Sequence, residues 1–141
     1  MNARPRCQIT VGWKGSIVSL LRAGVIIIGV GFCLPGVLAV FQTDRLGEFL
    51  SLNTVSPTGQ VSIKVLIGAP YLAMAAICIF AAVKSKWSWL APVAAIEGAM
   101  CVVRIYSGLI YGFEAAGIVE ILIEITVCIF LAICARQDRQ L

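Results

Sequence analysis

The sequence predicts an all-α integral membrane protein, a four-helix transmembrane bundle that occupies residues 1–141 as a single domain. Of the 141 residues, 60% are hydrophobic and only 13% are charged, whereas an average soluble domain has roughly 45–50% and about 25%. The hydrophobic residues are gathered in four long runs. Four spans of roughly 20 residues each use more than half of the chain, so no separate soluble domain is expected.

Each of the four apolar runs is long enough to cross a bilayer as a helix. The predicted spans are residues 17–41, 61–83, 89–111 and 115–135. Pro35 should kink or end the first helix, whereas Pro70 and Pro92 lie where membrane helices tolerate proline. The first run follows a basic leader, as in a signal peptide, but it is longer than the apolar core of a typical signal peptide. We therefore expect it to be retained as a span.

Lysines and arginines are distributed unequally over the predicted loops. The side of the two termini carries Arg4, Arg6, Lys14, Arg22, Lys84, Lys86, Arg136 and Arg139, and the other side carries Arg45 and Lys64. Because loops rich in lysine and arginine stay in the cytoplasm, we expect both termini to be cytoplasmic.

The long connection between the first two spans, residues 42–60, has two interpretations. Thr43 and Asp44 could cap a short helix, and an apolar stripe would lay that helix in the membrane interface. The stripe consists of Leu46, Phe49, Leu50 and Leu52. A plain loop is the alternative.

Six ionisable residues in or beside the spans are the candidate site. They are Arg22, Lys64, Glu97, Arg104, Glu120 and Glu124. A charge in hydrocarbon costs at least a few kcal/mol, so each should face a partner or a wet cavity. Their formal charges sum to zero, and we predict one buried network to which all four spans contribute.

Helix geometry suggests the partners within this network. Counted back from the turn near residues 112–114, Arg104 lies at the depth of Glu120 and Glu124, because a helix rises about 1.5 Å per residue. Arginine can hold a carboxylate through two parallel hydrogen bonds. At matching depths, Lys64 should approach Glu120 and Arg22 should approach Glu97.

Three further residues are candidates for lining a ligand site beside the network: Ser107, Tyr111 and Tyr71. Tyr111 follows Arg104 by seven residues and therefore shares its helix face. Gly108 and Gly112 form a G-x-x-x-G motif, which predicts a close helix contact within the bundle or a dimer face.

Sequence signatures of soluble enzymes and of cofactor sites do not occur in the chain. It has no histidine, no C-x-x-C pair, no nucleophile elbow, no P-loop and no dinucleotide-binding fingerprint. We expect no metal site and no cofactor, and the six cysteines should be small apolar residues in helices. The basic residues flank spans and form no nucleic-acid patch, so no nucleic-acid partner is expected.

Short motifs give the chain a family resemblance from about Leu46 onward. They are Lys64, Gly68 and Ala69 in the second run, Gly98, Arg104, Ser107 and Gly112 in the third, and glutamate in the last. This pattern resembles the domain of unknown function 4345 family of small bacterial four-span proteins, with Lys64 in place of arginine and Ala69 in place of a second glycine. More loosely, the architecture is similar to DoxX-like membrane proteins, some of which sit in larger membrane complexes. The resemblance implies a multi-pass protein of the bacterial inner membrane, and it implies no activity.

The leading functional hypothesis is a non-enzymatic accessory or assembly subunit, with the bilayer and other membrane subunits as partners and with ion pairs that fix helix register. The alternative is a small proton-coupled carrier or binding protein for a lipophilic or cationic molecule. A membrane enzyme with a glutamate as general base is a third hypothesis. A cavity that reaches the carboxylates would favour the carrier.

Overall fold

The computed structural model describes residues 11–49, 57–113 and 115–137, and within these ranges the regular structure is entirely helical. The elements are α1 (Val11–Phe41), α2 (Thr43–Phe49), α3 (Pro57–Ile63), a π-helical segment (Lys64–Gly68), α4 (Ala69–Lys84), a 3₁₀ turn (Trp87–Trp89), α5 (Leu90–Tyr111) and α6 (Ala115–Ala135). Four stretches are long and apolar enough to cross a membrane: Val18–Phe41, Pro57–Lys84, Trp87–Tyr111 and Gly117–Arg136. The chain is therefore an all-α, multi-pass membrane protein, and the predicted fold class is confirmed.

Proline shapes the first two spans differently. Helix α1 continues through Pro35 to Phe41, so this proline does not end the first span. In the second span, α4 follows the π-helical turn directly, and Pro70 is its second residue. The Ala69 N–H donates to the Lys64 carbonyl, five residues back. A proline ring collides with the carbonyl four residues earlier, and the wider π-turn removes that collision.

The short helix α2 lies between the first two spans. Thr43 does not cap it, because the Thr43 hydroxyl donates to the Ala39 carbonyl 2.8 Å away, back in α1. Leu46 is buried against Ala39 and Ile63, so α2 folds onto the ends of α1 and α3. Leu50 and Leu52 of the predicted stripe, and the side chain of Phe49, lie outside the described residues.

The four spans are arranged as two helix pairs. Helix α1 packs mainly along α4, and α5 packs mainly along α6. The pairs meet in a core near the end of the bundle that holds Lys84 and Leu90, which we call the proximal end. The largest fully buried side chains of that core are Val25, Met74, Cys78, Leu90, Val93, Leu131 and Cys134. Toward the distal end, at Phe41 and Tyr111, a cavity lies between the two pairs.

The G-x-x-x-G motif lies at the α5–α6 connection. A Cβ atom at Gly108 would overlap the ring of Phe113, which follows the end of α5. Gly112 is the residue after α5 and has a positive φ of 96°, which a residue without a side chain adopts freely. Both glycines therefore serve the α5–α6 connection, and the predicted helix contact, within the bundle or at a dimer face, stays a prediction.

Candidate functional site

The α5–α6 hairpin places one arginine against two glutamates. The antiparallel helices are joined by a short connection, and Glu120 and Glu124 share a face of α6 because they are four residues apart. Arg104 Nη1 lies 2.6 Å from Glu120 Oε2, and Arg104 Nη2 lies 2.9 Å from Glu124 Oε1. The pairing predicted from the sequence is thus present, and it includes both carboxylates.

The two ion pairs differ in burial and therefore in strength. The side chains of Arg104 and Glu120 are 38% and 48% exposed, whereas that of Glu124 is only 11% exposed. Coulomb attraction is weaker where solvent screens it. The Arg104–Glu124 pair is also supported by a hydrogen bond from Arg104 Nε to the same Oε1 at 3.0 Å. We conclude that Glu124 is the main partner of Arg104.

Glu97 is the most deeply buried charged residue of the described chain, with 3% of its surface exposed. It lies on α5, two turns before Arg104. Within the described residues, Glu97 Oε1 has no hydrogen-bond partner, and neither has Glu124 Oε2. Leaving buried polar atoms unsatisfied costs about 1–3 kcal/mol each, and more for charged groups. Each of these two carboxylates therefore has hydrogen-bonding capacity that the described part of the protein does not use.

Arg22 and Lys64 do not join this cluster, and their predicted positions are wrong. Arg22 is exposed, and its Nη2 donates to Ser85 Oγ at 2.6 Å, because its long side chain extends to the polar loop at the proximal end. Lys64 is also exposed, and no ion pair involves it within the described ranges. Its neighbour Ile63 is buried and Ile67 is half-buried, which turns Lys64 to the outer face of the helix.

The remaining charged cluster opens into the cavity between the helix pairs, which has a volume of about 690 Å³. One arginine and three glutamates line it: Arg104, Glu97, Glu120 and Glu124. In their ionised forms these residues leave an excess of two negative charges, since Arg22 and Lys64 are not among the lining residues. The predicted neutral network is therefore replaced by an acidic cavity.

The wall opposite the charges is apolar and aromatic. It is formed by residues of α1 and α4, among them Phe32, Tyr71 and Met74. The rings of Phe32 and Tyr71 are 6.1 Å apart between centroids and tilted by 58°. Tyr71 thus lies where the sequence prediction placed a ligand-lining residue. Phe32 and Met74 were not predicted, because in the sequence they are indistinguishable from other apolar residues of the spans.

The other two predicted lining residues lie outside the cavity. Ser107 is on the neighbouring face of α5, and its hydroxyl donates to the Val103 carbonyl at 2.9 Å. Tyr111 is the last residue of α5 and is exposed. The lining role predicted for Tyr111 is therefore wrong, whereas Ser107 lines a neighbouring trough on α5 and not this cavity.

The lining groups can form hydrogen bonds and ion pairs with a positively charged ligand. No group of three or more cysteine, aspartate or glutamate side chains that could hold a metal ion occurs among the described residues. Comparisons with known proteins give no match, whether with family models, with curated protein sequences or with solved structures. The family resemblance of the sequence therefore stays a prediction.

Proposed function

We propose that this chain is a non-enzymatic membrane protein that binds an organic cation in the cavity between its helix pairs. If it acts as a carrier, it transfers that cation across the membrane. The observation that carries the proposal is that Glu97 and Glu124 line one cavity and that each has a carboxyl oxygen without a hydrogen-bond partner in the described residues. The sequence hypothesis of a carrier or binding protein required such a cavity, and the accessory subunit did not.

Charge favours a cationic ligand. Arg104 is paired with Glu120 and Glu124. It is the one basic side chain among the described residues that line the cavity, so Glu97 has no ion-pair partner there. A buried charge without a partner is destabilising by several kcal/mol. A ligand that brings one positive charge would offset that cost and supply the missing hydrogen-bond donors.

Size and wall chemistry favour an organic cation over a metal ion. The volume of about 690 Å³ falls within the range of roughly 300–1,000 Å³ that is usual for small-molecule sites. A hard metal ion such as Ca²⁺ needs about six to eight oxygen ligands, but one wall here is apolar. The faces of Phe32 and Tyr71 suit an ammonium group with an apolar body, because aromatic faces attract cations.

Binding of dodecylammonium to the purified protein in phosphatidylcholine nanodiscs tests the proposal, with empty nanodiscs as the reference. Glu97→Gln and Glu124→Gln should each weaken binding at least about tenfold, which corresponds to ~1.4 kcal/mol. Glu48→Gln is the matched control, because Glu48 is an exposed glutamate on α2 and its replacement changes the net charge equally. Equal affinity in all three variants would overturn the proposal.

Location and partners are part of the same proposal. The distribution of lysine and arginine supports cytoplasmic termini, and the family resemblance supports the bacterial inner membrane. An accessory subunit of a membrane complex stays the competing prediction. Purification in mild detergent separates the two, because such a subunit should co-purify with its partner in fixed proportion and lose stability without it.

A further inference from the structure

A shallow trough of about 570 Å³ runs along the outward face of α5. Its lining residues recur every three or four positions, which is the spacing of a single helix face. They are Ile96, Ala99, Met100, Val103, Arg104 and Ser107. Ile96, Met100 and Arg104 also line the acidic cavity, so the trough and the cavity adjoin along α5.

The trough offers hydrocarbon surface, because its two polar side chains are already engaged. Arg104 is held by its two glutamates, and the Ser107 hydroxyl donates to the Val103 carbonyl within its own helix. The remaining lining side chains are apolar, and Val103 is 64% exposed. An apolar surface that is open to the bilayer thus leads to a cavity lined by three glutamates and one arginine.

We propose that this trough is the lateral entry to the cavity and holds the hydrocarbon part of an amphiphilic amine whose ammonium group reaches Glu97 and Glu124. This inference rests on the proposed function and adds the ligand class and its route. An alkyl chain in the trough stays in surroundings as apolar as lipid, so the chain gains little by moving there. The ammonium group gains most, because it exchanges the membrane for carboxylates.

Two adjacent valines of α5 provide a matched test. Val103 lines the trough, whereas Val102 lines neither the trough nor the acidic cavity. Both are exposed, by 64% and 67% respectively. Val103→Trp should fill the trough and weaken dodecylammonium binding in phosphatidylcholine nanodiscs by roughly tenfold, because the alkyl chain of a bound amine would then have no room beside the cavity. Val102→Trp should leave the affinity unchanged. Ala99→Leu is a second, smaller obstruction should Val103→Trp fail to fold, and it should weaken binding in the same direction.

The outcomes separate the inference from the proposed function. If Glu97→Gln weakens binding and Val103→Trp and Ala99→Leu do not, the lateral entry is wrong and the cation site stands. If the wild-type protein does not bind dodecylammonium above empty nanodiscs, both are wrong.

The mass of each variant in detergent is measured by light scattering. A change in oligomeric state in Val103→Trp with unchanged affinity would assign the trough to a second copy of the chain and overturn the inference.

Discussion

Arg104 Nε donates to Glu124 Oε1 at 3.0 Å, and Arg104 Nη2 lies 2.9 Å from the same oxygen. This geometry leaves the other Glu124 oxygen, Oε2, without a hydrogen-bond partner in the described part of the chain. A parallel arrangement with one donor per oxygen would have satisfied the whole carboxylate. Glu124 and Glu97 both line the cavity, and each has such an oxygen, which makes the cavity a candidate binding site.

Loss of the arginine should destabilise the protein strongly. Arg104→Ala leaves Glu124 as a buried charge without its partner, and breaking such a pair costs about 3–5 kcal/mol. The measurement is the free energy of unfolding in detergent. Arg45→Ala, which removes an exposed arginine on α2, should change stability little. The double variant Arg104→Ala/Glu124→Gln should recover part of the loss, and an Arg104→Ala protein as stable as the wild type would contradict the paired-charge interpretation.

Removal of the Glu97 charge should have the opposite effect on stability. Glu97 has no ion pair within the described ranges, and its Oε1 is unsatisfied. Glu97→Gln removes a buried charge at nearly constant volume, so the unliganded protein should be as stable as the wild type or more stable by ~1 kcal/mol. The same unfolding measurement applies. A large loss of stability would mean that the Glu97 carboxylate is a structural partner and not a free ligand group.

Close packing between α1 and α4 should be sensitive to a single methyl group. A Cβ atom at Gly36 would lie 2.8 Å from Leu72 Cγ and 3.1 Å from the Leu72 backbone nitrogen. Gly36→Ala should therefore destabilise the protein by about 1–3 kcal/mol. Gly31 of the same helix has no heavy atom of the described chain within 4 Å of its Cβ position. Gly31→Ala is thus the control and should be neutral or slightly stabilising, because alanine favours helix over glycine.

Protons should compete with the organic cation for the cavity. The ionisable groups that line it are Glu97, Glu120, Glu124, Arg104 and Tyr71. A protonated carboxyl no longer attracts an ammonium group, so dodecylammonium affinity should fall as the pH is lowered. Binding should also release protons, which calorimetry in buffers of different ionisation enthalpy detects. In Glu97→Gln the number of protons released should decrease. Affinity that is independent of pH would contradict carboxylate recognition.

The sequence alone determined the parts of this protein that depend on local chemistry. The length of each apolar run predicts four spans, because a bilayer of fixed thickness requires roughly 20 residues per helix. The Arg104–Glu120–Glu124 cluster was also predictable, since α5 and α6 are neighbours along the chain and a short turn fixes their relative depth.

Tertiary structure decided the rest. Depth along a helix follows from residue counting, but the direction of a side chain around the helix depends on packing. In the second span, Ile63 and Ile67 pack inward, which leaves Lys64 outside. The packing of α1 on α4 and of α5 on α6 then opens the acidic cavity between the two pairs.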